Sequence, residues 1–224
     1  MGSKLCNEDV TGPSDANKAI LAVYDIFGFF PQTLQGADIL AAGNGQESYQ
    51  VFMPDFFEGN AAKIEWYPPK TKEQQACLGE WFQCADWSVH RKKLPGLLRA
   101  AEEINPEIKA WGIIGYCWGG KMASIVAGDE PGLFKVAVQT SPARIDHKDA
   151  QHVKIPTMLL ASEEESVESV EQYAEHLDVP KHVERFEDQV HGFMSARADL
   201  ADGRARKEYE RGYALALKFF NDHL

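Results

Sequence analysis

The sequence predicts an α/β fold with a mainly parallel central sheet flanked by helices on both faces. Two observations support this prediction. The first is that short apolar, β-prone runs alternate along the chain with segments of helical periodicity, and strands buried on both faces of a parallel sheet are continuous apolar runs of this kind. The 224 residues also contain no repeat, low-complexity tract or linker, so we expect a single domain over residues 1–224.

Six segments are predicted to be strands. Each is short and rich in apolar or β-branched residues, and most are bounded by glycine, proline or polar residues. In chain order they are Ile20–Phe27, Tyr49–Met53, Ala110–Tyr116, Lys135–Thr140, Ile155–Ala161 and His182–Phe186.

Helical spacing occupies most of the remaining chain. An aromatic-rich stretch between Phe56 and Pro69 precedes helical periodicity that is interrupted at Pro95-Gly96, which predicts a cap followed by a crossover helix. The predicted helical segments are Thr33–Ala42, Lys70–Glu103, Lys121–Ala127 and Lys207–His223.

The net charge and hydropathy of the chain exclude some classes of binding partner. The formal net charge of −11 disfavours binding to nucleic acid or anionic lipid, since both need a basic patch, and a small-molecule substrate fits better. The N-terminus lacks the apolar core of a signal peptide, and no run reaches membrane-spanning length. We therefore expect a cytoplasmic protein, monomeric or homodimeric, that binds neither nucleic acid nor membrane.

The cysteines are scattered and predict free thiols in a reducing compartment. They show no CxxC pairing, and the chain has neither zinc-ligand spacing nor a P-loop, so we expect no metal and no organic cofactor. The four cysteines are Cys6, Cys77, Cys84 and Cys117.

Residues 115–119, G-Y-C-W-G, form the strongest local motif. They lie between a predicted strand and a predicted helix, as in the nucleophile elbow of the α/β-hydrolase fold, with Cys117 in place of the commoner serine. A thiolate at a helix N-terminus is stabilised by the helix dipole and by unpaired backbone N–H groups. The N–H groups of Trp118 and Ile26 are the predicted oxyanion donors. The plainer interpretation makes Cys117 a small buried hydrophobe in a glycine-rich turn.

In hydrolases of this fold the carboxylate and then the histidine follow the nucleophile along the chain. His191 is the predicted base, because it follows the last predicted strand and precedes Gly192, which permits a sharp turn. The acid is expected just after the strand that begins at Ile155. In related hydrolases the acid is nine residues after a proline, which places it at Glu165 when counted from Pro156; Glu164 is the close alternative.

Four segments together resemble the dienelactone hydrolase family. They are Asp25-Ile26-Phe27-Gly28, Met53-Pro54-Asp55, the G-Y-C-W-G-G run of residues 115–120, and His191-Gly192-Phe193. The resemblance spans Leu21 to Phe193, and the segments MPDFFEG and HGFMSAR are similar to sequences of fungal members. It implies hydrolysis of a small ester or lactone through an acyl-cysteine intermediate.

The chain departs from the family pattern at three places. A glutamate that contacts the cysteine in the family is replaced by Asp25, and an arginine four residues after the histidine is replaced by Ser195, with Arg197 two residues further on. The acid, usually aspartate, is a glutamate here. The resemblance makes Asp25 and Arg197 candidate substrate-binding residues.

Two other interpretations stay open from the sequence. A class I glutamine-amidotransferase-like protein also carries its cysteine on a strand-to-helix turn. A hydrolase-like binding or redox-sensing protein, silenced by the substitutions at Asp25 and at the acid, would use the same thiol without turnover.

Overall fold

A computed structural model of the chain describes residues 10–45, 47–130 and 132–224, and Cys6 lies outside these ranges. Its strands form one seven-stranded sheet of order β1-β3-β2-β4-β5-β6-β7, in which β1 is antiparallel to its neighbour and the other pairings are parallel. The strands are β1 (Val10–Thr11), β2 (Lys18–Val23), β3 (Gln50–Phe52), β4 (Ala110–Tyr116), β5 (Val136–Thr140), β6 (Thr157–Ser162) and β7 (Lys181–Phe186).

Eight α-helices are present in the described ranges. Side-chain caps start several of them: Thr71 forms a capping box with Gln74, and Asp202 accepts hydrogen bonds from two main-chain N–H groups. The helices are α1 (Pro31–Ala42), α2 (Lys72–Phe82), α3 (Trp87–His90), α4 (Leu94–Ile104), α5 (Trp118–Asp129), α6 (His147–Ala150), α7 (Val167–His176) and α8 (Gly203–His223).

Helices cover both faces of the sheet, as the contacts of β4 show. A Cβ added at Gly112 would lie 2.7 Å from the Phe220 ring of α8, whereas one added at Gly115 would lie 1.9 Å from the Gly119 carbonyl of α5. Residues 112 and 115 point to opposite faces of a strand, so α8 and α5 lie on opposite sides. Strands β5 and β6 are therefore buried along their whole length.

Some boundaries differ from the sequence-based expectation. Strand β2 ends at Val23 rather than at Phe27, because Asp25 Oδ1 accepts a hydrogen bond from the Phe27 N–H at 2.8 Å and Gly28 adopts φ +71°. The predicted interruption at Pro95-Gly96 is wrong: Pro95 lies in the first turn of α4, where its missing N–H costs nothing. The predicted helical segment is instead broken between α2 and α3, and a 3₁₀ turn at Arg91–Lys93 separates α3 from α4.

Two elements differ because local pattern is weak there. Helix α5 begins at Trp118 rather than at Lys121, so both glycines of the Gly119-Gly120 pair are helical. Strand β1 was not predicted, since two residues carry no period. Within the described ranges, no helix combines the length and apolar character needed to cross a membrane.

Candidate active site

Cys117 occupies a strained turn between β4 and α5. Its backbone has φ +51° and ψ −106°, a conformation that non-glycine residues rarely adopt. The flanking glycines are required by close approach: a Cβ at Gly115 would lie 1.9 Å from the Gly119 carbonyl oxygen, and one at Gly119 would lie 1.9 Å from that of Val23. The turn has the geometry expected of a nucleophile elbow at the carboxyl end of the sheet.

Hydrogen bonds hold this turn against the end of β5. The Cys117 N–H donates to the Thr140 carbonyl at 3.0 Å, and the Cys117 carbonyl accepts from the N–H of Ala143 at 2.9 Å. The Trp118 side chain is fully buried, and its indole N–H donates to the Ala85 carbonyl at 2.8 Å. As the first residue of α5, Trp118 has a backbone N–H without an intrahelical partner.

The His191 side chain meets both other predicted triad residues. Its Nδ1 lies 2.5 Å from Glu165 Oε1. Cys117 lines the same cavity and is close enough to raise the pKa of the imidazole. His191 follows β7 in a loop, and Gly192 with φ +83° turns the chain directly after it. Because the carboxyl ends of parallel strands meet at one edge, residues following β4, β6 and β7 converge there.

The pKa values in this group describe an ion pair. Burial disfavours the protonated imidazole, but hydrogen bonds and charges from Cys117 and Glu165 outweigh it and raise the pKa of His191 to about 10. Burial likewise opposes ionisation of Glu165, and contacts with His191 and Ser162 overcome it, so the pKa of Glu165 is lowered. Both directions favour imidazolium beside carboxylate.

The three neighbouring glutamates have different environments. Glu165 is buried and reaches the imidazole with one oxygen while the other accepts the Ser162 N–H at 2.5 Å. Glu164 is directed to the main chain of His191, whose N–H donates to its Oε1 at 3.1 Å. Glu163 is exposed. The structure therefore brings Glu165, and not Glu164, to the imidazole ring.

Asp25 and Ile26 lie in the turn after β2 and line the same cavity as Cys117. Asp25 is buried, its Oδ1 accepts the Phe27 N–H at 2.8 Å, and its Oδ2 accepts the Ala196 N–H at 3.2 Å. Burial raises the pKa of Asp25 despite these contacts and the charge of His191. The Asp25 carboxyl group thus joins the β2 turn to the loop that carries His191.

Arg197 also lines the cavity, but its guanidinium is already engaged. It donates to the His191 carbonyl at 2.8 Å and pairs with Glu164 at 3.2 Å. Its Cζ lies over the Tyr67 ring, 5.3 Å from the ring centroid.

These side chains surround one cavity of about 430 Å³. Apolar groups of Phe27, Phe82 and Ile145 form part of the wall, so a small, partly apolar molecule would fit it. The ionisable lining residues are Asp25, Tyr67, Cys117, Arg144, Glu164, Glu165, His191 and Arg197.

Arg144 was not predicted from the sequence. It is exposed in the loop after β5, has φ +56°, and stacks over the Trp87 ring at 5.6 Å. Among the described residues it forms no salt bridge, in contrast to Arg197. The rule that sites lie at the carboxyl ends of parallel strands could have drawn attention to this loop.

The described ranges contain no cluster of three or more His, Cys, Asp or Glu side chains that could hold a metal ion. Trp66, Trp81 and Trp87 belong to the hydrophobic core or pack against it, and they do not line the cavity.

Comparison with known proteins places this fold and site in a family. An uncharacterised AIM2-family protein of Schizosaccharomyces pombe is 30% identical over 217 residues, covering 95% of this chain and 85% of the relative. A carboxymethylenebutenolidase homologue of Rattus norvegicus is 30% identical over 233 residues, with the same coverages. The crystal structure of dienelactone hydrolase from Anabaena variabilis superposes with a TM-score of 0.64 at 17% identity, covering 96% of this chain and 90% of that chain.

These matches confirm the predicted α/β-hydrolase fold and the resemblance inferred from the motifs, including the similarity to fungal proteins. The sequence pattern of the dienelactone hydrolase family matches residues 9–224, nearly the whole chain. The protein belongs to the dienelactone hydrolase family.

Proposed function

We propose that the protein hydrolyses a small-molecule ester or lactone with Cys117 as nucleophile and His191 as acid and base. Glu165 orients the His191 imidazole and favours its protonated form. Family membership supports hydrolysis of an ester or lactone. The observation that carries the cysteine mechanism is the convergence of Cys117, His191 and Glu165 on one cavity, with Glu165 bound to the imidazole and Cys117 on a strained strand-to-helix turn.

In the first half-reaction, the Cys117 thiolate attacks the acyl carbon and a tetrahedral oxyanion forms. The N–H groups of Ile26 and Trp118 are the proposed donors to this oxyanion, which the helix dipole of α5 also stabilises. When the intermediate collapses, the bond to the leaving oxygen breaks and the His191 imidazolium gives that oxygen its proton. An acyl thioester on Cys117 and a neutral imidazole result.

In the second half-reaction, neutral His191 takes a proton from water, and the resulting hydroxide attacks the thioester carbonyl. The carbon–sulfur bond then breaks, which releases the carboxylic acid and restores the thiolate and imidazolium. Glu165 stays ionised throughout and stabilises the imidazolium each time it forms.

The proposed substrate carries a negative charge. Arg144 borders the cavity without an acidic partner among the described residues, and its stacking on Trp87 limits the positions of the guanidinium. The relatives named as carboxymethylenebutenolidase homologues agree with a lactone that bears a carboxylate. Asp25 is a second proposed substrate contact, because it lines the cavity beside Ile26.

The decisive experiment compares Cys117→Ala with the wild type in hydrolysis of p-nitrophenyl acetate. We expect a loss of about 10³-fold or more in kcat, because no other group replaces the nucleophile. Cys84→Ala is the matched control, since Cys84 is an exposed free cysteine that does not line the cavity.

Unchanged activity of Cys117→Ala would remove the thiol from the mechanism. Absence of turnover by the wild type toward activated esters and lactones would favour the binding or redox-sensing alternative instead. The family match already decides against the amidotransferase-like interpretation.

A further inference from the structure

We propose that Glu164 and Arg197 form a clamp on the main chain of His191, and that both act as positioning residues for its imidazole. This inference rests on the proposed function of His191. It assigns Glu164 a role separate from that of Glu165, and it gives Arg197 a role other than substrate binding.

The clamp is a closed set of hydrogen bonds. Glu164 Oε1 accepts the His191 N–H at 3.1 Å, and Arg197 Nη1 donates to the His191 carbonyl at 2.8 Å. The two side chains bind each other as well, with Arg197 Nη2 at 3.2 Å from Glu164 Oε1 and Nη1 at 3.4 Å from Oε2. Both main-chain polar groups of His191 are therefore held by one ion pair.

The base of the clamp is itself fixed. The turn after β6 accepts two hydrogen bonds from Arg185, at 2.7 Å to the Glu163 carbonyl and 3.2 Å to the Glu165 carbonyl. The Glu163 N–H donates to the Gln189 carbonyl at 2.9 Å, which ties this turn to the loop after β7. Two consecutive glutamates on one hydrogen-bonded turn thus hold the same histidine, Glu165 by its ring and Glu164 by its backbone.

The loop after β7 contains a glycine that would otherwise allow the His191 backbone to move. Gly192, with φ +83°, directly follows His191, and its lack of a side chain leaves the backbone free to rotate there. The direction of the imidazole follows from the position of the His191 backbone. Misplacement of a catalytic group by about 1 Å can cost about 10²-fold in rate.

The competing role for Arg197 is recognition of a substrate carboxylate. Its charge is already neutralised by Glu164, and its guanidinium is committed to the His191 carbonyl and stacked over Tyr67. Arg144 has no such acidic partner among the described residues, so it is the better candidate for an anionic group. The two roles for Arg197 predict different kinetic signatures.

The test measures kcat and KM for Glu164→Ala, Arg197→Met and the double variant, with a neutral ester, p-nitrophenyl acetate, and an anionic one, p-nitrophenyl hemisuccinate. We expect each single variant to lower kcat about tenfold for both esters while KM stays within about twofold. The double variant should lose no more than the worse single variant, because each change opens the same clamp. Arg197→Lys, which keeps the charge but loses the fork, should fall between wild type and Arg197→Met.

Matched controls separate the clamp from general effects. Glu163→Ala removes a neighbouring exposed glutamate whose contacts in this turn are made by its backbone, and Arg206→Met removes an exposed arginine of α8; both should keep wild-type kinetics. Thermal unfolding of each variant verifies that it is folded. If Arg197→Met fails to fold, Glu164→Ala and Arg197→Lys still test the clamp. The Glu164 side chain is 38% exposed, so its replacement by alanine should leave the fold intact.

A wild-type kcat for Glu164→Ala would overturn the clamp. So would a rise in KM confined to the hemisuccinate in Arg197→Met, which is the signature of substrate recognition. Cys117→Ala distinguishes the two proposals: if it is inactive while the clamp variants match the wild type, the clamp alone is wrong, and if it is fully active, the proposed function fails.

Discussion

Replacing Glu165 by glutamine should disable the site more than its small chemical change suggests. Glu165 accepts the Ser162 N–H with one oxygen and contacts His191 Nδ1 with the other. Glutamine offers only one acceptor oxygen, so its amide nitrogen must face one of these two groups. The variant also removes the negative charge that favours the imidazolium.

The size of the effect follows from the pKa of His191, which is raised from 6.5 to about 10 by Cys117 and Glu165 against the opposing effect of burial. At about 1.36 kcal/mol per pKa unit, this difference corresponds to about 5 kcal/mol of preference for the charged ring. Cys117 and Glu165 together supply more than this net preference, because burial opposes them, so the loss of Glu165 should cost about 2 to 3 kcal/mol. Such a loss corresponds to a rate reduction of about 30- to 150-fold.

Steady-state hydrolysis of p-nitrophenyl acetate measures this loss as a fall in kcat at neutral pH. Glu163→Gln is the control, because the same substitution two residues earlier lies on an exposed side chain. Glu165→Asp should give intermediate activity, since its shorter side chain cannot keep both contacts. A Glu165→Gln variant within threefold of wild type, beside an inactive His191→Ala, would refute the reasoning.

Three further results are expected. Gly119→Ala should lower the free energy of unfolding in urea by about 3 kcal/mol or more, because its Cβ would lie 1.9 Å from the Val23 carbonyl oxygen. The control Gly79→Ala has open space in α2 and should be neutral or stabilising, and equal effects of the two variants would contradict the elbow geometry. Because the pKa of His191 is raised in the folded state, wild-type stability relative to His191→Ala should be greatest below pH 6.5 and fall as the pH rises toward 10, and a constant difference would contradict the ion pair. Arg144→Gln should lower kcat/KM about tenfold for p-nitrophenyl hemisuccinate and less than about twofold for the acetate, and equal losses would exclude charge recognition.

Most of the sheet could be predicted from the sequence because its central parallel strands are buried and largely apolar. The run 110–116 coincides with β4, and the other predicted strands overlap observed ones. Boundaries were lost where a side chain ends the strand, as Asp25 does after β2. Strand β1 has two residues and pairs with a distant segment, so no local signal marks it.

Some parts of the site could likewise be predicted from the sequence, and others could not. Close packing demands the glycines around Cys117, so the turn is visible in the sequence. The register of the glutamates is not, because Glu163, Glu164 and Glu165 have the same chemistry and differ only in where the turn directs them. Arg144 was missed because its place in the cavity depends on β5 lying beside β4, which is a property of the topology rather than of the local sequence.

The most direct test of the central claim is to look for the acyl-enzyme. Enzyme mixed with a chromogenic ester is quenched in acid within the first turnovers, digested, and analysed by mass spectrometry. We expect a mass increase equal to the acyl group on the peptide that contains Cys117. An acyl group found on another residue, or hydrolysis with no covalent intermediate at Cys117 under conditions of measurable burst, would contradict it.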